Sequence, residues 1–237
     1  MLVVEDLTVG YVEDIAILQE VSVRVPEGRI VSVIGPNGAG KSTLLRAICG
    51  FLPPKSGHVL YRDQHLTGLP PYRMVDLGIS YLPQERTVFP HLSVEKNIRL
   101  GGWSFRRDRA RLRQAVERVF AHFPILAERR GSRAGELSGG MQKILEVARG
   151  LVADPRLLVV DEPSAGLAPL VAKEIYSTLR RLRDQRLTVL LVDQNVREAV
   201  ALADHIYVLE LGRNRVDGSR QEFQTNLHAM IKEWLQI

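Results

Sequence analysis

A nine-residue segment, GPNGAGKST at 35–43, restricts the possible folds of this 237-residue chain more than any other feature. It follows the apolar run RIVSVIG (29–35), which predicts a buried strand of a parallel sheet. It leads into KSTLLRAICG (41–50), which predicts a helix that ends at Gly50. The segment fits G-x-x-x-x-G-K-[ST] with the preceding strand and following helix that a phosphate-binding loop needs. A glycine-rich turn with an incidental lysine is the alternative, and the full match disfavours it.

Glycines in such a loop let the backbone N–H groups converge on an anion at the positive end of a helix. Lys41 supplies a charge for the β- and γ-phosphates of a nucleotide, and Ser42 supplies a hydroxyl for Mg²⁺. The nucleotide-binding residues predicted in this loop are Gly35, Asn37, Gly38, Ala39, Gly40, Lys41, Ser42 and Thr43.

Two acids follow a second predicted buried strand, in LLVVDEPS (157–164). Ligands of open α/β sheets bind at the carboxyl ends of the strands, so Asp161 is placed to hold Mg²⁺ through water. Glu162 is our candidate to polarise a water for attack on the γ-phosphate, and Pro163 ends the strand. A solvated turn is the alternative interpretation, and the phosphate loop upstream weakens it.

The remaining periodicity predicts an α/β fold. TVLLV (188–192) reads as another buried strand, and the helical stretch 170–185 precedes it, so βαβ crossovers and a mostly parallel central sheet follow. The first thirty residues alternate as strands do, with Val21, Val23 and Val25 on one face, which predicts an N-terminal antiparallel β-subdomain. The arginine-rich middle, about 90–150, reads as mainly helical. We therefore predict a single domain, 1–237, with a core of about 1–84 and 152–237 and an inserted α-helical subdomain of about 85–151.

The segment ELSGGMQKILEVARG (136–150) predicts a second anion-binding helix start. Ser138 is a good N-cap, and Gly139 and Gly140 leave the first turn bare. One chain with one nucleotide has no obvious use for two such helix ends. Two copies arranged head to tail would use both.

These segments resemble the ATP-binding cassette (ABC) family: GPNGAGKST its phosphate loop, LSGGM its signature and LLVVDEP its Walker B strand, in a match that spans almost the whole chain. The resemblance implies a P-loop NTPase that uses ATP and Mg²⁺, with the signature of one subunit capping the ATP of the other in a head-to-tail dimer. It also implies that Tyr11 stacks on adenine, with an edge-strand tyrosine as the alternative. It further implies that Gln84 contacts Mg²⁺ or water, and that SAGLAP (164–169) crosses the dimer interface.

The stretch LLVDQNV (190–196) departs from the family pattern. Most cassettes carry at this strand end a histidine that touches the γ-phosphate, and Gln194 stands in its place here. A glutamine donates and accepts hydrogen bonds but does not titrate near pH 7. We therefore expect Gln194 to contact the γ-phosphate without shuttling a proton, and we assign no role to Asp193 or Asn195.

Within the family, GYVEDIAILQEVS, PSAGLAP and LLVDQN are similar to the ATPases of branched-chain amino acid importers. This implies an importer subunit for branched-chain or other hydrophobic amino acids, bound peripherally to permease subunits at the cytoplasmic face through about 84–99. A solute-binding protein would belong to the full system. The dimer partner would be a second copy or, as we favour, a related ATPase.

Alternative interpretations are the ATPase of another ABC system (amide or urea import, or lipopolysaccharide export) and a non-transport ABC ATPase. The heads of DNA-repair and chromosome-organising ATPases usually carry a long coiled-coil insertion between phosphate loop and signature. Lys41 and Ser138 are only 97 residues apart (138 minus 41), which disfavours that class.

Composition bears on location and partners. No apolar run approaches the roughly 18 residues that cross a bilayer, Glu5 and Asp6 argue against a signal peptide, and the single Cys49 fits a reducing cytosol. The net charge of +5 lies largely in FRRDRARLR (105–113).

For that run we favour a solvated helix face, with Asp108 paired to Arg111, over contact with an acidic partner or anionic lipid. We expect no nucleic-acid partner, because aromatic residues do not interleave with the arginines. The last stretch, NLHAMIKEWLQI, predicts a helical stripe that packs on the chain's own core rather than on a partner; its members are Leu227, Met230, Ile231, Trp234 and Leu235.

Overall fold

The computed structural model describes residues 1–225. Its strands are β1 (Leu2–Val9), β2 (Leu18–Val25), β3 (Ile30–Ile34), β4 (Ser56–Tyr61), β5 (Gln64–His65), β6 (Ile79–Leu82), β7 (Leu157–Asp161), β8 (Thr188–Val192), β9 (His205–Glu210) and β10 (Arg213–Ser219). Its α-helices are α1 (Lys41–Ile48), α2 (Tyr72–Asp76), α3 (Val94–Leu100), α4 (Arg109–His122), α5 (Pro124–Ala127), α6 (Gly139–Gly150), α7 (Pro169–Asp184) and α8 (Val196–Leu202). Short 3₁₀ turns occupy Trp103–Phe105 and Ala134–Glu136.

A six-stranded sheet with the order β10-β9-β3-β8-β7-β6 forms the centre of the fold. All its neighbouring strands are parallel except β10, which pairs antiparallel with β9 at one edge. The three buried strands predicted from apolar runs are β3, β7 and β8, and every residue in them is buried. The prediction of an α/β fold with a mostly parallel sheet is confirmed.

The central strands are mostly apolar because both faces of their sheet are covered. In β3, Ile30 and Ile34 belong to one hydrophobic core, shared with α4, α6 and α7. Val31 and Val33 belong to the other, shared with α1 and the N-terminal strands. Successive side chains of a strand point to opposite faces, so a strand between two cores buries both of its sides. Even the polar Ser32 of β3 is buried, and its Oγ donates to the carbonyl oxygen of Ala199 at 3.4 Å.

A four-stranded antiparallel sheet with the order β2-β1-β4-β5 packs on the second of these cores. Val21, Val23 and Val25 of β2 are buried together, as their alternation predicts. The N-terminal antiparallel β-subdomain is therefore confirmed, and β4 and β5 complete it.

Helices α3, α4, α5 and α6 all lie between β6 and β7 in the chain, which confirms the helical middle; the subdomain boundaries near 85 and 151 remain a prediction. The run FRRDRARLR contributes the solvated helix face that we favour, with Arg109, Arg111 and Arg113 exposed, but two details differ from the expectation. Asp108 caps α4, where its Oδ1 accepts from the backbone N–H of Arg111 at 3.0 Å. Aromatic rings do accompany the arginines, since the Arg111 guanidinium stacks 4.4 Å from the Phe105 ring centre and Arg106 stacks 4.5 Å from that of Trp103.

The predicted apolar stripe of 226–237 lies outside the described residues. Within 1–225, none of the helices has the length and apolar character needed to cross a membrane.

Candidate functional site

The carboxyl ends of three neighbouring parallel strands meet at one edge of the central sheet. The loop 35–40 follows β3, Glu162 follows β7, and Asp193 follows β8. The segments predicted to carry the chemistry are therefore adjacent in space, as the end-of-strand rule for open α/β sheets requires.

The phosphate loop needs glycine where its backbone approaches other parts of the chain. A Cβ on Gly35 would lie 2.1 Å from the carbonyl oxygen of Leu209. Gly40 has a left-handed φ of 97°, and a Cβ there would lie 2.5 Å from the Leu18 side chain. Gly40 is also the N-cap of α1, so the first N–H groups of that helix face the loop.

The other predicted loop residues divide by exposure. Asn37 and Gly38 are exposed at the tip of the loop, while Ala39 and Thr43 are buried beneath it. The tip is therefore open to a ligand, and the base of the loop is packed against the core.

Lys41 is buried, and its ammonium is held by the loop itself. The Nζ atom donates to the carbonyl oxygens of Gly35 at 3.0 Å and Pro36 at 3.1 Å. It also lies 3.7 Å from Oε1 of Glu162. The ammonium is therefore held in a buried position beside the loop, opposite the carboxylate of Glu162.

Ser42 and Asp161 form a pair of hard oxygen ligands, with Ser42 Oγ donating to Asp161 Oδ1 at 3.1 Å. Tyr81 Oη donates to the other carboxylate oxygen at 3.4 Å. Burial raises the pKa of Asp161, and the donors Ser42 and Tyr81 lower it in part. Hydroxyl and carboxylate oxygens are the ligands that Mg²⁺ takes beside phosphates, so this donor set fits that ion. The contribution of Tyr81 was missed, because nothing local in YLPQER indicates it.

Glu162 has a strained backbone and a polar contact to a distant segment. Its φ of 44° is left-handed, a conformation that costs a non-glycine residue free energy and clusters at functional sites. Its N–H donates to the carbonyl oxygen of Val192 at 2.8 Å, and its Oε2 accepts from Gln84 Nε2 at 2.9 Å. Burial raises the pKa of Glu162, Lys41 opposes that shift, and the neighbouring acids add to it.

Tyr11 lies beside the loop with 56% of its surface exposed. Its hydroxyl is 3.4 Å from Thr43 Oγ1 and accepts from Arg46 at 3.4 Å. The ring is therefore tethered at its hydroxyl end and open elsewhere.

Helix α6 begins as predicted, because Ser138 Oγ accepts from the N–H of Met141 at 3.3 Å. Gly139 and Gly140 form its bare first turn. Among the hydrogen bonds of residues 1–225, none joins this turn to the phosphate loop. The two predicted anion-binding helix ends thus belong to separate places in one chain.

The strand end LLVDQNV divides into three environments. Gln194 is exposed. Asn195 is the N-cap of α8, where its side chain accepts from the N–H of Glu198 at 3.3 Å. Asp193 is completely buried and accepts hydrogen bonds from Tyr176, Ser164 and the N–H of Asn195. An acid at the end of an apolar run was the only signal of this buried site.

A family model described as ABC transporter matches residues 18–165. The chain is 44% identical over 203 residues, 86% of either chain, to the "High-affinity branched-chain amino acid transport ATP-binding protein BraG" of Pseudomonas aeruginosa. It is 38% identical over 217 residues, 91% of either chain, to the "Probable branched-chain amino acid transport ATP-binding protein LivF" of Archaeoglobus fulgidus.

The "Lipopolysaccharide export system ATP-binding protein LptB" of Escherichia coli K12 is 34% identical over 215 residues, 90% of this chain and 88% of that protein. Among solved structures, the ADP conformation of MJ1267, an ATP-binding cassette of an ABC transporter, superposes with a TM-score of 0.86 at 29% identity. It covers 97% of this chain and 94% of that chain.

Proposed function

The chain belongs to the ABC transporter family, and on that premise we propose that it is the ATP-hydrolysing subunit of a membrane importer. The observation that carries the proposal is the meeting of Lys41, Glu162 and Gln84 around one loop mouth, with the pair formed by Ser42 and Asp161 beside them. A cation, a buried carboxylate base and ligands for a divalent ion are the parts that phosphoryl transfer to water needs.

Branched-chain or other hydrophobic amino acids are the solutes that we propose for the full system. BraG and LivF are described as branched-chain amino acid transport proteins, and each shares more identity with this chain than the export protein LptB does. The replacement of a histidine by Gln194 is the residue-level feature that agrees with this assignment.

Nucleotide binding would use the open tip of the phosphate loop and its helix start. The backbone N–H groups of Gly38 to Thr43 would hold the phosphates, Lys41 would contact the β- and γ-phosphates, and Tyr11 would stack on the adenine. Ser42, Asp161 and Gln84 would hold Mg²⁺. That ion would neutralise charge on the phosphates when bound.

Hydrolysis would use Glu162 as the group that accepts a proton from the attacking water. The carboxylate is buried and pre-oriented by Gln84 and by the strained backbone, so it needs little reorganisation. Gln194, exposed at the end of the next strand, would contact the γ-phosphate as donor or acceptor.

Two subunits would enclose each ATP. Ser138, Gly139 and Gly140 of one subunit would cap the nucleotide on the phosphate loop of the other, with SAGLAP (164–169) at the interface between them. Support comes from the bare first turn of α6, which has no bond to the phosphate loop of its own chain among the described residues. The second subunit would be another copy or a related ATPase.

Permease subunits would dock in the groove between the sheet and the helical segment, at the cytoplasmic face of the membrane. This groove has a volume of about 1130 Å³. Its lining includes Tyr72, Phe89 and Trp103, which are 72%, 51% and 61% exposed. Exposed aromatic side chains around a groove are typical of a protein interface, and residues 84–99 contribute to its wall. A solute-binding protein would deliver the amino acid to the permease.

Replacement of Glu162 by glutamine tests the proposed chemistry. The variant should bind ATP, hydrolyse it about 100-fold more slowly or worse, and accumulate as an ATP-held dimer, because only the proton acceptor is lost. ATP binding, phosphate release and size-exclusion chromatography with and without ATP would measure this.

Lys41→Ala is the matched control for that experiment. It should remain monomeric with ATP, because it loses the cation that holds the phosphates. Wild-type turnover in Glu162→Gln would show that Glu162 is not the base, and unchanged ATP affinity in Lys41→Ala would remove the phosphate-loop assignment. Affinity purification from solubilised membranes would then separate the classes of system, by whether the bound membrane subunits are amino acid permeases or lipopolysaccharide-export subunits.

A further inference from the structure

Asp193 is a completely buried acid with three hydrogen-bond donors from three different segments. The Tyr176 hydroxyl donates to its Oδ2 at 2.7 Å. Ser164 Oγ donates to Oδ1 at 3.3 Å, with Oδ2 at 3.4 Å. The backbone N–H of Asn195 donates to Oδ1 at 2.8 Å. A buried carboxylate is costly unless its oxygens are satisfied, and here both oxygens are.

The donors keep the group in one arrangement. Burial raises the pKa of Asp193, while the hydrogen bonds from Tyr176, Asn195 and Ser164 lower it in part. Burial and the nearby Asp193 also raise the pKa of Tyr176, so the phenol stays a neutral donor. Charge-assisted hydrogen bonds of this kind are shorter and stronger than neutral ones.

The three donors belong to the elements that surround the proposed reaction centre. Ser164 lies two residues after Glu162, in the segment proposed to cross the dimer interface. Tyr176 lies on α7, which starts where that segment ends. Asn195 N–H belongs to the corner that carries Gln194. Asp193 therefore joins the loop after β7, helix α7 and the corner after β8 at one point.

A further hydrogen bond connects Glu162 directly to the end of β8. The N–H of Glu162 donates to the carbonyl oxygen of Val192, the residue before Asp193. The loop of Glu162 is thus attached to the end of β8 twice. One attachment is the bond from the Glu162 N–H to Val192, and the other is the bond from Ser164 to Asp193. The left-handed φ of Glu162 needs such support, because the surroundings must hold a strained backbone in place.

We propose that Asp193 is a positioning residue for ATP hydrolysis, which holds the loop of Glu162 and the corner of Gln194 in one register through Ser164 and Tyr176. The inference rests on the proposed function for the roles of Glu162 and Gln194. It predicts that ATP hydrolysis and ATP binding respond differently. Among residues 1–225, neither Asp193 nor its three donors has a hydrogen bond to the phosphate loop, so loss of the network lowers turnover and spares ATP binding.

The kinetic test compares five single variants. Asp193→Ala should lower kcat about 10- to 100-fold, the loss expected when a catalytic group is displaced by about 1 Å, with the KM and Kd for ATP within about three-fold of wild type. Asp193→Asn should recover most of kcat, because its amide oxygen at the Oδ1 position accepts from the N–H of Asn195 and from Ser164, while its NH₂ at the Oδ2 position donates to the Tyr176 hydroxyl, which can also accept. Tyr176→Phe and Ser164→Ala, which retain the acid, should give smaller losses.

Tyr61→Phe is the matched control, because it also removes a buried tyrosine hydroxyl. Tyr61 Oη has no hydrogen-bond partner among the described residues, and the residue lies in β4 of the antiparallel sheet. We expect this control to keep wild-type kcat. A wild-type kcat in Asp193→Ala overturns the proposal, and so does a loss of kcat that the folded fraction of the variant fully explains or that asparagine does not restore.

Hydrogen exchange of the nucleotide-free protein gives a readout that is independent of ATPase activity. In Asp193→Ala and Tyr176→Phe, amides of 162–168 and 194–196 should exchange faster than in wild type, and amides of 37–43 should not. If the amides of 162–168 and 194–196 exchange as slowly in the variants as in wild type, Asp193 does not position these segments. This conclusion holds even if the wild-type protein shows no ATPase activity. An inactive wild type with the expected exchange pattern instead contradicts the proposed function alone.

Discussion

At the scale of a single residue, the position of Gln194 depends on its two neighbours in the chain. Its side chain is exposed, whereas the residues on either side of it are bound into the fold, Asp193 by Tyr176 and Asn195 as the cap of α8. The backbone of the corner is therefore fixed while the side chain between is free to meet a ligand. This placement suits a group that contacts the γ-phosphate, and its amide has no titration near pH 7.

Replacing Gln194 by alanine should slow ATP turnover more than it weakens ATP binding, because the proposed contact matters most when charge develops on the phosphate. We expect a loss of about 10-fold in kcat with little change in Kd, measured by steady-state kinetics and equilibrium binding. The matched control is Gln185→Ala, an exposed glutamine at the end of α7. If Gln194→Ala is as active as that control, Gln194 is only the exit of a strand.

At the scale of elements, the two glycines that open α6 differ in their surroundings. A Cβ on Gly140 would lie 2.2 Å from Cγ1 of Val171, on the first turn of α7. A Cβ on Gly139 would meet only the flexible end of Arg86, at 3.2 Å. Both glycines leave the helix start bare for a ligand, but Gly140 also permits the close contact between α6 and α7.

This difference predicts unequal effects on stability. Gly140→Ala should lower the free energy of unfolding by about 1–3 kcal/mol, the cost of forcing a methyl group into a packed contact. Gly139→Ala should change it by about 0.5 kcal/mol or less, as substitutions outside packed contacts usually do. Denaturant unfolding without nucleotide measures both while keeping ligand contacts out of the comparison. Equal values would show that α6 and α7 shift apart freely.

At the scale of the whole molecule, a buried polar cluster joins α6 to the segment that follows β6. Glu146 pairs with Lys143 at 3.0 Å, and these side chains are 3% and 10% exposed. Glu146 Oε1 also accepts from the N–H of Thr87 at 2.5 Å. Arg149 donates to the Thr87 carbonyl oxygen at 2.7 Å. Burial lowers the pKa of the Arg149 guanidinium. Lys143 in turn donates to the carbonyl oxygen of Pro83 at 3.2 Å. Thr87, three residues after Gln84, is thus bound to α6, the helix that begins at the signature.

Removal of the Glu146 carboxylate should therefore destabilise the fold. Glu146→Ala leaves the Lys143 ammonium buried without its counter-ion, which costs about 3–5 kcal/mol when one partner of a buried pair is lost. The control is Asp76→Ala, which removes a pair of the same i,i+3 spacing with both side chains more than half exposed, and should cost less than about 1 kcal/mol. Thermal and denaturant unfolding would measure the difference. Similar losses in the two variants would mean that the cluster does not hold α6 to the segment that follows β6.

The features that were predictable from the sequence depend on residues close together in the chain. The phosphate loop, the buried strands, the acids Asp161 and Glu162 and the cap at Ser138 were all found in the sequence. Each depends on alternation, helix starts or caps, which are interactions among residues a few positions apart. Asp108 shows the limit of such local rules, because it bonds to the residue that we named but to its backbone N–H rather than its guanidinium.

What the sequence by itself determined is therefore the α/β architecture, the family and the segments that carry the proposed chemistry. Only the tertiary structure decided which distant side chains meet: Gln84 with Glu162, 78 residues apart, and Glu146 with Thr87, 59 residues apart. It also turned Asp193 from an unassigned acid into the junction of three elements. The physical reason is that a hydrogen bond depends on distance and angle within a few tenths of an ångström. The packing of helices on the sheet sets that geometry, and no local pattern encodes it.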